Sequence, residues 1–133
     1  MNNVFLDTVG MLALWSEADQ WHSAARKAHE SLKQRNVVFL TTSYVLLECG
    51  NAAARRGFRG AVVRLRQELS KSETLIEPTP GDCQVAWSTF ENSHIGSAGI
   101  VDCVSFVVMQ RLGITEAFTN DEHFRAAGFT TLF

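Results

Sequence analysis

The chain has 133 residues, 46% of them hydrophobic, and a formal net charge of −2. That length suits one domain around one core, residues 1–133 as a single unit; the apolar content excludes disorder, no apolar run reaches the roughly 20 residues of a membrane-spanning helix, and the charge excludes a surface coated in positive groups. The opening MNNVFLDTVG has neither the basic start nor the cleavage site of a secretory signal, and Cys49, Cys83 and Cys103 form an odd set without metal spacing, each in an apolar segment; buried, reduced thiols in a cytoplasm are expected.

In chain order, NVFL (3–6) is a short β-type run ending at Asp7, and VVFL (37–40) is a second ending at Thr41; both read as buried strands. Between them, 11–34 has helical spacing, broken near Glu17 to Gln20, with Trp21, Ala25, Ala28 and Leu32 on one stripe of the second helix. An Ala-rich helix runs from Ser43 to Arg56, Gly57 and Gly60 punctuate, and a basic amphipathic helix continues to about Lys71. TLIE (74–77) is a third strand, and Pro78 and Pro80 open a helix over 81–92. SHIGSAGI (93–100) is a glycine-rich loop leading to the apolar helix GIVDCVSFVVMQ (99–110). EAFT (116–119) is a fourth strand, DEHFRAAG (121–128) a short helix and TTLF (130–133) a closing strand. Strands alternating with helices predict an α/β sandwich, a parallel sheet covered on both faces.

Asp102 lies between Val101 and Cys103 in an otherwise apolar segment, and an ion in such surroundings costs several kcal/mol, of order 3–5, unless something pairs with it. Binding crevices of open α/β sheets lie beyond the carboxyl ends of the strands. Asp7 follows the first strand and Asp121 the fourth, while Asp102 begins a helix and Glu48 projects from the helix after the second strand. Taken singly, Asp7, Asp102 and Asp121 are each explained by capping. At the last, Thr119 and Glu122 have the spacing of a capping box, which frees Asp121 for other work. Glu48 has Tyr44, Val45, Asn51 and Ala52 on its face and so points inward. No Lys or Arg stands at helical spacing to serve Glu48 or Asp102. A divalent ion, Mg²⁺ or Mn²⁺, answers the need, because hard cations take carboxylate oxygens.

These segments together resemble the PIN-domain ribonucleases, in particular the VapC-type toxins of bacterial toxin–antitoxin pairs. The resemblance rests on FLDT, on TTSYVLLECGNAAARR with Glu48, on VDCVSFVVMQRLGI with Asp102 and on AFTNDEHFRAAGF with Asp121, supported by DQWHSAAR and the terminal TTLF. It implies a five-stranded parallel sheet of order 3-2-1-4-5, with strands one and four adjacent and Asp7 facing Asp121. It further implies metal-dependent hydrolysis of RNA, with Asp7 and Asp102 as principal metal anchors, Glu48 as a ligand or water-orienting base and Asp121 as a second-metal or water-mediated ligand. Thr8 and Thr119 would orient carboxylates or touch the phosphate, or merely cap helices. A small antitoxin and a homodimer are the implied partners. Many relatives have Ser where this chain has Gly99, with Ser97 nearby.

Arg55, Arg56, Arg59, Arg64 and Arg66 occur within 55–66 without one acid. Arg55, Arg56 and Arg59 suit phosphate contacts, acidic residues of an inhibitor, or a solvated helix face. His123 is read as facing water. Rival readings are weaker: a dehalogenase-like phosphatase lacks its second acid at Val9, there is no phosphate-cradling Gly loop, and His22 and His29 lack further zinc ligands. The remaining alternative is an inert PIN-like module that binds RNA or protein.

Overall fold

Val4, Phe5 and Leu6 are buried in succession, as a parallel strand covered on both faces requires. They form β1 (Asn3–Leu6) in a computed structural model that describes residues 2–92 and 97–133. The chain continues through α1 (Thr8–Trp15), α2 (His22–Gln34), β2 (Val38–Thr42), α3 (Ser43–Ala53), α4 (Arg59–Lys71) and β3 (Leu75–Ile76). Then follow α5 (Pro80–Glu91), α6 (Ile100–Leu112), β4 (Glu116–Phe118), α7 (Glu122–Ala126) and β5 (Thr130–Thr131). All strand pairs are parallel and the order is β3-β2-β1-β4-β5. The chain winds outward from β1 to β3, crosses over and resumes at β4. The reversal therefore falls between β1 and β4, where such sheets open a crevice.

Several element boundaries differ from those the sequence pattern predicts. Helix α1 begins at Thr8, not at 11, because Asp7 caps it and the strand enters the helix without a loop. Helix α3 stops at Ala53, not Arg56: the chain turns through Gly57 in the left-handed region at φ 81°, and the Arg59 guanidinium donates to the Ala54 carbonyl at 3.2 Å. Strand β2 reaches Thr42, which caps α3 through Val45 N–H. The third and last strands shrink to two residues each. Of the expected glycine-rich loop, residues 93–96 lie outside the described ones.

The core lies between sheet and helices, with Phe5, Phe118, Phe124 and Met109 at 0% exposure; burying each such side chain contributes about 1.5–3 kcal/mol. Close approach matters at one point. A Cβ on Gly10 would stand 2.0 Å from the Phe118 carbonyl oxygen, so only glycine lets α1 lie this near β4. Helices α5 and α6 pack as a hairpin pinned by Arg111, whose Nε and Nη2 donate to Asp82 at 2.9 and 2.8 Å. That pair holds the Asp82 carboxyl below its ordinary range.

Candidate active site

Strand register is what brings the acids together. Leu6 stands opposite Phe118, so the next residues on each strand, Asp7 and Thr119, emerge at the same level of the carboxyl edge. The Thr119 hydroxyl donates to Asp7 Oδ2 at 2.8 Å and accepts the Asp121 N–H at 3.1 Å, joining the first acid to the last through one side chain. From β2, the Thr42 cap sets the start of α3, and Glu48 on its second turn accepts the Thr8 hydroxyl at 2.6 Å. Asp102 enters on the first turn of α6. Asp7, Thr8, Val9, Glu48, Asn51, Asp102 and Asp121 line one open cleft of about 460 Å³.

The cleft is electrostatically unbalanced. Asp7 is 2% exposed, and its pKa is raised to about 7, first by burial and then by the charges of Asp102 and Asp121, against the lowering effect of the Thr119 bond. Asp102 is raised to about 6, again by burial first and then by Asp121 and Glu48. Beneath them the Cys49 thiol is pushed up to about 12 by burial and by Asp7 and Glu48. Among the described residues no Lys or Arg pairs with Asp7, Glu48 or Asp102: the ion pairs lie at Lys33–Glu30, Arg35–Glu116, Arg111–Asp82 and His123–Asp121. Crowded carboxylates without a cation are a donor set suited to a hard divalent ion.

Two expectations require correction. The Thr119/Glu122 capping box does not form, because the Thr119 hydroxyl is committed to Asp7 and to the Asp121 amide; Asp121 caps α7 itself through His123 N–H at 2.9 Å while also lining the cleft. His123 does not simply face water. It is half-buried, its Nδ1 stands 2.8 Å from Asp121 Oδ1, and one potential ligand atom from each of Asp102, Asp121 and His123 lies within 4.8 Å of the others. The sequence signal was Asp-x-His at a helix start, where a capping carboxylate lies over the first turn. Arg55, Arg56 and Arg59 are exposed and do not line the cleft: Arg59 bonds Ala54, and Arg56 borders a separate depression with Ser16, Ala18 and Asp19.

Other residues are accounted for by structure. Thr8 and Thr119 direct their hydroxyl protons at carboxylates. Asp102 is not a cap, since Gly99 holds that position without a side-chain bond. His22 bonds the Ala13 carbonyl and His29 stacks on Phe39, so the two share no metal site. Cys49 and Cys103 are buried, whereas Cys83 is half-buried against the Tyr44 hydroxyl. Asn51, in the cleft wall, carries no sequence signal that distinguishes it from a helix-surface amide.

The PIN domain family matches residues 4–130. This chain belongs to that family. The PIN domain here is 32% identical, over 127 residues and 95% of both chains, to the 23S rRNA-specific endonuclease VapC20 in two strains of Mycobacterium tuberculosis. Among solved structures it superimposes with a TM-score of 0.83 on the crystal structure of M. tuberculosis VapC20, described as a sarcin–ricin loop cleaving toxin, at 28% identity and 96% coverage of each chain. Fold and strand order are thus those of a PIN domain.

Proposed function

We propose that this PIN domain is a divalent-metal-dependent ribonuclease, the toxin of a toxin–antitoxin pair, acting on structured ribosomal RNA of the kind VapC20 cleaves. The observation that carries the reading is the convergence of Asp7, Glu48, Asp102 and Asp121 from separate segments on one cleft. Their mutual repulsion is relieved by a cation, and Mg²⁺ or Mn²⁺ suits all-oxygen donors. Asp7 and Asp102 would be its principal holders, with Asp121 beside them and Glu48 as ligand or water-orienting base. When bound, such an ion neutralises the carboxylates, eases ionisation of an attacking water and stabilises charge on phosphate oxygens. The chain's own hydroxyls do the positioning: Thr119 fixes the Asp7 carboxylate and Thr8 fixes Glu48, with contact to the scissile phosphate the other role open to them.

Arg55 and Arg56 lie just past the end of the helix that brings Glu48 and Asn51 to the cleft. There they would hold RNA phosphates outside the metal centre, and Arg59, bonded to Ala54, contributes charge only. Among the described residues no helix is long and apolar enough to cross a membrane; a ribosomal RNA substrate would place the protein in the cytoplasm. An antitoxin and a second copy of the chain are the partners that this reading implies.

The test is cleavage of an RNA oligonucleotide containing the sarcin–ricin loop. Cleavage in Mg²⁺ or Mn²⁺ that stops on chelation supports the reading. An inert PIN-like module, the alternative, gives neither cleavage nor the rise in thermal stability that a ligand binding only the folded state produces.

A further inference from the structure

His123 is tied at both ring nitrogens. Nδ1 lies 2.8 Å from Asp121 Oδ1 and Nε2 lies 3.2 Å from the Ser97 hydroxyl. The carboxylate only accepts, so Nδ1 carries a proton; Ser97 can donate to a bare Nε2 or accept from a protonated one, and the chain of bonds holds in either state. The ends of this chain belong to different parts of the fold. Ser97 stands two residues before Gly99, the N-cap of α6 that places Asp102 on its first turn, while Asp121 caps α7. Asp121 Oδ1 also takes the His123 backbone N–H at 2.9 Å, so two donors from one residue converge on a single oxygen.

From this geometry we infer that His123 is a positioning residue, a strut linking the entry of α6 to the Asp121 carboxylate and fixing the spacing of Asp121 from Asp102. The inference rests on the metal-site reading above. A carboxylate left to rotate presents its oxygens to an ion part of the time, whereas one held by an imidazole presents them always. Outer partners of this kind are worth about 10–100-fold in metal affinity. Direct ligation by the imidazole is the competing role, because His123 lies within ligand spacing of both acids. It differs in what Ser97 does: a strut needs the serine, and a ligand does not.

The experiment has two arms on the full-length protein. In the first, Mn²⁺ affinity is titrated calorimetrically for His123→Ala, His123→Asn, Ser97→Ala and the double alanine variant. A strut predicts a loss of about 10-fold or more for His123→Ala, a smaller loss for Ser97→Ala, no further loss in the double variant, and recovery of most of the affinity in His123→Asn, whose amide can donate to Asp121. Native affinity in His123→Ala, or a loss that His123→Asn does not recover while Ser97→Ala is silent, overturns it. In the second arm, chemical unfolding of the metal-free proteins is measured for the native, single and double variants. Non-additivity between Ser97→Ala and His123→Ala supports the strut, and strict additivity overturns it. Failure of the native protein to bind Mn²⁺ would refute the metal-site reading, and the metal-free arm would still decide the strut.

Discussion

Asp7 and Asp102 carry more of the site's energy than their neighbours because each is desolvated beside other acids. With pKa values of about 7 and about 6 against an ordinary 3.8, the folded metal-free protein holds protons that the unfolded chain releases. Their contribution to stability is complete below about pH 4 and is lost as pH rises through the folded values. The metal-free protein should therefore unfold at a higher temperature at pH 5 than at pH 8, with Asp7 accounting for about 2–3 kcal/mol of the difference. Asp82, whose pKa is lowered, acts in the opposite sense but only at more acid pH, outside that window. Saturating Mn²⁺ should flatten the dependence, since ligation needs ionised carboxylates. By the same logic Asp102→Asn, measured without metal at pH 8, should be neutral or stabilising, because it removes a charge repelled by Asp121 and Glu48. A loss of stability would point instead to a structural role at the α6 start. Asp7→Asn and Glu48→Gln should each lower RNA cleavage by about 100-fold or more; near-native turnover in either would remove that residue from the site.

At the scale of elements, the close approach of α1 to β4 is the feature most exposed to a single change. In Gly10→Ala the new methyl meets a backbone carbonyl, which cannot swing aside as a flexible side chain can. Helix α1 must lift away, at a cost of about 1–3 kcal/mol for such overpacking. Because Asp7 caps that helix and Thr119 follows that strand, cleavage should fall further than the loss of stability explains. Circular-dichroism melts beside single-turnover rates on the folded variant would show it, and native activity in a folded Gly10→Ala would mean that the Asp7–Thr119 contact tolerates displacement. The alternation of strands and helices is legible in the apolar runs, but the edges are not. Asp7 is legible as a cap but the start of α1 directly behind it at Thr8 is not, and Thr119 and Glu122 read as a capping box until Thr119 is seen to serve Asp7 across the crevice.

For the whole molecule, a net charge of −2 conceals an arginine cluster and an acidic cleft. Binding of RNA by such a surface should weaken as salt rises. Replacing Arg55 and Arg56 together by Ala should reduce the slope of log affinity against log salt by about 1.4–1.8, near 0.7–0.9 for each lost phosphate contact between the single-strand and duplex limits. Mn²⁺ binding should be unchanged, since neither residue lines the cleft. Filter binding over a salt series checks this; an unaltered slope would assign the two arginines to another partner or to solvent.

The sequence alone determined the parallel α/β class, because buried strands and amphipathic helices leave different periods in the chain. It also singled out the four acids, because a carboxylate among apolar neighbours requires an explanation wherever the chain runs. Tertiary structure decided the rest: that Thr119 joins two acids, that Thr8 serves Glu48, that His123 bridges Ser97 to Asp121, and that the arginines do not line the cleft. Those contacts span 26 to 112 positions or turn on which way a side chain points, and their geometry is set by strand register and helix packing, which no local pattern of residue types encodes.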